Sequence, residues 1–209
     1  MRKLKLGFAL EGNSDYPVIP RLAQRLIQEY ADDIILSEPT ALRPRKRGHG
    51  FISELSSLAK QMQAESVDIL IAVVDTDNTL IGDRRKLLQE AKDRCRQTGI
   101  TICIADGLAV RQLEAWLLAD EKAIFTVFDG ERAAIKLPNP EKEADAKGTL
   151  NKIVRTLTDG REVDYTSYAT ELADSIRLQL LRQRCSHFDD FAKRLLDCVK
   201  QWQQAVPPL

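Results

Sequence analysis

The chain has no C-x-x-C pair, and beside its four scattered cysteines (Cys95, Cys103, Cys185 and Cys198) stand only two histidines, His49 and His187. So few clustered soft ligands argue against a zinc site. Free, mostly buried thiols in a reducing cytoplasm are the simple expectation. Net charge is also missing: 31 Lys+Arg offset 31 Asp+Glu. That excludes a uniformly basic coat, so any surface for a polyanion must come from local clustering. No apolar run approaches the length of a membrane span. The charged start Met1-Arg2-Lys3-Leu4-Lys5 leads into no hydrophobic segment with a small-residue cleavage site. Neither a membrane nor export is expected. Internal repeats and low-complexity segments are absent.

What is present suits one medium domain, or one domain with a helical extension: 209 residues, 44% hydrophobic and 30% charged, enough to bury a core and stay in solution. Its organising stretch is Val67-Asp68-Ile69-Leu70-Ile71-Ala72-Val73-Val74-Asp75-Thr76-Asp77-Asn78. The unbroken apolar run from Ile69 to Val74 predicts a central strand covered on both faces, as in a parallel sheet. Asp75 and Asp77 close it, two residues apart and on one side if the strand geometry continues. Crowded carboxylates repel unless a cation lies between them, and hard ions such as Mg²⁺ prefer oxygen ligands. The same two residues could simply cap a following turn. Their position at the carboxyl end of a strand, where ligands of open α/β sheets bind, favours the metal.

A first strand is predicted over residues 3–10, running into Glu11-Gly12-Asn13-Ser14-Asp15, where Ser14 or Asp15 can cap a helix that reaches about Tyr30. Ile34-Ile35-Leu36 reads as a short second strand ended by Pro39. The one basic run, Arg43-Pro44-Arg45-Lys46-Arg47-Gly48-His49-Gly50, lies in a Pro/Gly loop before a helix over 51–63. A charged helix over 83–97, ended by Gly99, precedes a fourth strand over 100–105 that stops at Asp106-Gly107. A helix over 110–120 follows, then a polar stretch over 129–148 read as a mobile loop or lid. Helices over 149–157, 167–183 and 187–204 finish the chain. Strand alternating with helix predicts right-handed crossovers and a mainly parallel α/β sheet flanked by helices, with a C-terminal helical extension. Residues 1–128 form the core in this reading, and 129–209 a polar loop and helical subdomain packed on it.

Glu11, the Asp75/Asp77 pair and Asp106 each fall at or just past a predicted strand end. If the first and third strands are neighbours, Glu11 faces the Asp-x-Asp pair and could hold Mg²⁺ or Mn²⁺ with it, while also being placed for proton transfer. This order, Glu11-Gly12 then Asp75-x-Asp77, resembles the TOPRIM (Rossmannoid) domain of topoisomerases, primases and OLD-family nucleases. The segment Arg111-Gln112-Leu113-Glu114-Ala115-Trp116-Leu117-Leu118-Ala119-Asp120 is similar to the Glu-x-Trp-Leu-Leu-x-Asp signature of a small TOPRIM-like family of bacterial genomes, some members beside defence genes. The segments Asn139-Pro140-Glu141 and Ser186 to Phe188 fit it too, so the resemblance spans nearly the whole chain.

It implies a metal-dependent reaction at a phosphodiester, a nuclease acting in the cytoplasm. Glu11 would be general acid/base and metal ligand, and Asp75 and Asp77 would be Mg²⁺ ligands. Glu114 is the candidate for a second metal, although it could equally be an ordinary helix-surface glutamate. Asp120 is expected to close its helix or pair with a cation, and Trp116 to be core. Arg43, Arg45, Lys46 and Arg47, with Arg111 beyond them, are the candidates to neutralise a nucleic-acid backbone. Charge runs are more often solvated loops. No tyrosine stands where a topoisomerase nucleophile would be recognised, so resealing is not expected.

Two other readings compete. Asp75-Thr76-Asp77-Asn78-Thr79 also resembles the Asp-x-Asp-x-Thr motif of haloacid-dehalogenase-type phosphatases, with Asp75 as nucleophile and Asp77 as acid/base. Two strands precede it here, and the Ser/Thr expected at the end of the next strand is absent, which ranks it second. Alternatively the chain is a non-catalytic partner of an ATPase, or a homodimer, docking through its C-terminal helices, for which exposed apolar residues near Trp202 would speak.

Overall fold

Four strands form one all-parallel sheet in the order β2-β1-β3-β4 in a computed structural model that describes residues 3–77, 79–129 and 137–205. The central pair are β1 (Leu6–Leu10) and β3 (Ile69–Asp75), with β2 (Thr40–Leu42) and β4 (Cys103–Ala109) at the edges. The apolar run of β3 divides by the period of two that a strand imposes. Ile69, Ile71 and Val73 enter one apolar cluster, and Leu70, Ala72 and Val74 enter another on the opposite face. Burying each large aliphatic side chain contributes about 1.5–3 kcal/mol, which is why a strand covered on both faces needs no alternation of polarity.

One face is covered by α2 (His49–Ala64) and α3 (Ile81–Gln97). The other takes α1 (Ile19–Tyr30) and the C-terminal elements: α4 (Glu114–Leu117), α5 (Glu121–Val127), α6 (Ala146–Leu157), α7 (Tyr165–Ser175), α8 (Leu178–Arg184) and α9 (Ser186–Ala205). These helices share one continuous apolar cluster with the sheet. Helix α9 lies against β4 so closely that a Cβ on Gly107 would stand 3.1–3.2 Å from Phe191. Gly107 is therefore a glycine of close packing inside a strand, and not a turn. No helix among the described residues is long and apolar enough to cross a membrane.

Several expectations need correction. Of the segment 34–36, only Leu36 joins the sheet, through an isolated bridge to Leu4, and the paired strand lies beyond Pro39 at Thr40–Leu42. The fourth strand runs on to Ala109, so Asp106 sits mid-strand opposite Ala72, buried between Lys92 (2.5 Å) and Arg194 (3.8 Å). Those two cations compensate it, and it takes no part in the acidic edge. The helix expected over 110–120 contracts to the four residues of α4. The helix expected over 167–183 is two, broken at Ile176, whose backbone is extended. Cys103 and Cys198 are not free thiols: they form a disulfide that ties the start of β4 to α9, while Cys95 and Cys185 remain free and buried.

Part of the loop expected over 129–148 lies outside the described residues, as does Asn78. Its later part holds a 3-10 turn, Pro140–Lys142, and the start of α6. The large exposed hydrophobics among the described residues are Tyr30, Ile35, Leu80 and Val163, none of them on α9, and Trp202 packs partly buried against the core.

Candidate functional site

At the carboxyl ends of β1 and β3 the chain leaves the sheet through two short connections. Parallel pairing sets Leu10 beside Val73, which carries Glu11 and Asp75 out at the same edge. They open on a cleft of about 510 Å³ lined by Glu11, Asp15, Asp75, Asp77 and Glu114, with Arg47, Gln112 and Lys147 around them. The sheet order is what joins residues 64 positions apart in the chain: only if β1 neighbours β3 can Glu11 meet Asp75.

Each acid is held differently. Glu11 accepts the backbone N–H of Gly48 on Oε1 at 2.5 Å, while its Oε2 is buried without a hydrogen-bond partner. Gly48 stands at φ +55°, ψ −127°, a conformation open to glycine but strained for other residues. Asp15 accepts from Gly12 N–H (2.8 Å) and from the Ser14 hydroxyl (3.2 Å), closing the 3-10 turn Asn13–Asp15. Burial pushes its carboxyl up to about 6, against those hydrogen bonds and with help from the charges of Glu114 and Glu11. Asp75 is pushed furthest, up to about 8, by burial first and then by the charges of Asp15, Glu114, Glu11 and Asp77. Asp77 is exposed at the rim in a left-handed conformation (φ +47°).

Glu114 is only 4% exposed, and its one ionic partner among the described residues is the Lys147 ammonium at 3.8 Å, which also lies over the Tyr165 ring. The buried Tyr165 phenol is pushed up by burial and then by the Glu114 charge, so its hydroxyl stays protonated. Glu114 owes its place to its neighbours in sequence. Trp116, two residues on, is fully buried against Phe188 and Phe191 of α9 and anchors the short helix that presents it. Asp120, 0% exposed, both caps α5 and takes a two-pronged hydrogen bond from Arg177 (2.7 and 2.8 Å). It is structural and is not among the residues that line the acidic cleft.

The cations do not all converge. Of the basic loop between β2 and α2, Arg47 reaches the acidic cleft, whereas the side chains of Arg43, Arg45 and Lys46 stand exposed. Arg111 lines a separate depression of about 330 Å³ that adjoins the cleft at Asp77. Sequence reasoning missed Asp15 as a site acid, treating it as a helix cap only. It also missed Gln112, Lys147 and Tyr165. The offset of Asp15, four residues beyond Glu11 in a tight turn, was the available signal. Lys147 and Tyr165 come from the C-terminal helices and carried none.

Among the described residues, no three His, Cys, Asp or Glu side chains are already drawn together as a closed ligand set. The donors that line the cleft nonetheless suit a hard divalent cation: five carboxylates supply oxygen, one carboxylate oxygen is buried without a partner, and their mutual repulsion is relieved by positive charge.

Fold and cleft together define a parallel α/β protein with an acidic site at the carboxyl edge of its sheet. The chain belongs to the family described as a domain of unknown function (DUF4276), which matches residues 10–196 and so takes in all five acids and most of α9. Neither a curated protein nor a solved structure matches it.

Proposed function

We propose that this protein is a Mg²⁺- or Mn²⁺-dependent nuclease of the TOPRIM-like kind, cutting phosphodiester bonds of nucleic acid. The observation that carries the reading is the gathering of Glu11, Asp15, Asp75, Asp77 and Glu114 in one cleft, with Asp75 pushed up to about 8 by burial and by the other four. An arrangement so costly in the absence of a cation is explained by one that binds there. Asp75, Asp77 and Glu11 are the ligands in this reading, with Glu114 available to a second ion. The ion supplies positive charge that offsets the charge gathering on a phosphate as its ester bond breaks.

The protein's own groups do the rest. Glu11, with one oxygen fixed by Gly48 and the other free, is oriented to accept a proton from an attacking water. Lys147 and Arg47 flank the acids and attract the anionic backbone.

The test is a cleavage screen on labelled single- and double-stranded DNA and RNA with Mn²⁺ or Mg²⁺. Wild type should cut, and Asp75→Asn and Glu11→Gln should each lower the rate by about 10²–10⁴-fold. Wild type cutting nothing overturns the reading. Hydrolysis of phosphomonoesters that survives in Glu11→Gln but not in Asp75→Asn would favour the phosphatase in which Asp75 is the nucleophile.

A further inference from the structure

The depression beside the acidic cleft has a composition the acids do not explain. Its apolar wall is Leu80, Ile81 and Val110, and its polar residues are Thr76, Asp77, Thr79, Arg111 and Glu141. Leu80 is 75% exposed, by far the most exposed large hydrophobic among the described residues, although it opens a 17-residue helix rather than a flexible tip. Arg111 makes no side-chain hydrogen bond or ion pair with any described residue. Its backbone, by contrast, is pinned. At φ +61° its N–H donates to Thr76 Oγ1 (2.6 Å), and its carbonyl accepts the N–H of Asp77 (2.9 Å). A non-glycine residue in that conformation costs about 1–3 kcal/mol and persists only where surroundings enforce it. Here the enforcement bolts the end of β4 to the end of β3 and fixes where the guanidinium starts from.

The carboxylate of Glu141 is already engaged. Its two oxygens accept the N–H groups of Ser186 and His187 at the start of α9, together with the Ser186 hydroxyl. The helix terminus favours its charge, and the His187 ring also meets Oε1 at 3.0 Å, which leaves Arg111 as the cation of this depression without a side-chain partner among the described residues.

We infer that this depression is the subsite for the nucleotide next to the scissile phosphate, with the neighbouring phosphate on Arg111 and its base against Leu80, Ile81 and Val110. The inference rests on the nuclease reading and sharpens it: the substrate is a single strand of at least two nucleotides. A duplex keeps its bases paired and stacked and offers no free base face to an apolar wall, whereas a splayed single-stranded base does. Asp77, shared by cleft and depression, marks the boundary between the two positions. Arg111 is thus a substrate-positioning residue, and Leu80 is its apolar counterpart.

The test is direct binding in Ca²⁺, by fluorescence anisotropy of labelled thymidylate and uridylate hexamers in competition with thymidine and uridine monophosphate. The wild type should bind a hexamer at least about tenfold more tightly than a mononucleotide, and Arg111→Gln should remove about tenfold of hexamer affinity while leaving the mononucleotide unchanged. Leu80→Ser, at a position too exposed to affect folding, should remove about threefold by the same selective pattern. The two arms show whether the strand is DNA or RNA. Equal binding of hexamer and mononucleotide, no hexamer binding, or wild-type affinity in both variants overturns the subsite. Cleavage of the same hexamers in Mn²⁺ is scored separately. Cutting with no loss in either variant sinks the subsite and spares the nuclease, and selective binding without cutting does the reverse.

Discussion

Gly48 gives its backbone N–H to Glu11 across 37 residues of chain, and this 2.5 Å contact fixes one oxygen of the carboxylate while the other stays buried and unpartnered. The contact joins the basic loop to the acidic edge, so the orientation of Glu11 depends on the conformation of a glycine outside the sheet.

Gly48→Ala tests that dependence. At φ +55°, ψ −127° a side chain is strained, and a Cβ would lie 3.1 Å from the Arg84 guanidinium. A loss of stability of about 1–3 kcal/mol is expected, read by urea denaturation. Ca²⁺ affinity should fall with it. Unchanged stability and unchanged Ca²⁺ affinity would mean that the loop relaxes freely and does not orient Glu11.

Binding of a divalent cation should strengthen as pH rises. Asp75, pushed up to about 8, holds its proton at neutral pH, and a cation must displace it. Apparent Mn²⁺ affinity should climb by up to about tenfold per pH unit below that value and level off above it. Without cation the sign for stability is opposite. The folded state binds the Asp75 proton more tightly than the unfolded chain, so its contribution is full below about pH 4 and is lost as pH rises toward about 8. Asp75→Asn should therefore raise the melting temperature of the cation-free protein most at alkaline pH. Calorimetric titration and melting across that range check both, and a flat profile in either would remove Asp75 from the cation site.

Asp120 should matter to folding and not to chemistry. Burial alone would raise its carboxyl, but hydrogen bonds from the Arg177 side chain and backbone and from Ala123 N–H outweigh burial and hold it below its ordinary value. Its stabilising effect is present above the usual carboxylate range and is lost as pH falls through the lowered value. Asp120→Ala should cost roughly 2–3 kcal/mol, from a helix cap and two charge-assisted hydrogen bonds. Denaturation at pH 7 measures it, and cation affinity below the melting transition should stay at wild type.

Reduction of the Cys103–Cys198 disulfide should destabilise the protein by roughly 2–4 kcal/mol, since it closes a loop of 95 residues. Melting with and without dithiothreitol, beside Cys198→Ser as a permanently reduced control, decides it. Equal melting temperatures would show that the packing of α9 on β4 holds without the bond.

The parts of this fold that could be read from sequence are those where one residue pattern has one outcome. The run Ile69 to Val74, short and rich in β-branched residues, reads as a doubly covered strand rather than a buried helix, and two acids at its end then emerge at a carboxyl edge. Edge elements escaped because packing overrode local signals. Asp106-Gly107 reads as a turn, yet Lys92 and Arg194 neutralise the aspartate, and Phe191 needs the glycine's missing side chain. Ile34-Ile35-Leu36 is the more apolar segment, yet the chain pairs at Thr40–Leu42, where a three-residue edge strand has little apolar content to betray it. At the site, Glu11 and Asp75 were foreseeable from strand order. Lys147 and Tyr165 were not, because nothing local in residues 146–165 says that they fold back over Glu114.

Trp116 packed in one cluster with Phe188 and Phe191 has a further implication. The final helix is the foundation on which the ledge bearing Glu114 is laid, so damage near the tail should reach the mouth of the protein. Trimming the chain ahead of α9 would bare the indole and the face of β4 that this helix covers, and would unseat an acid more than seventy residues upstream.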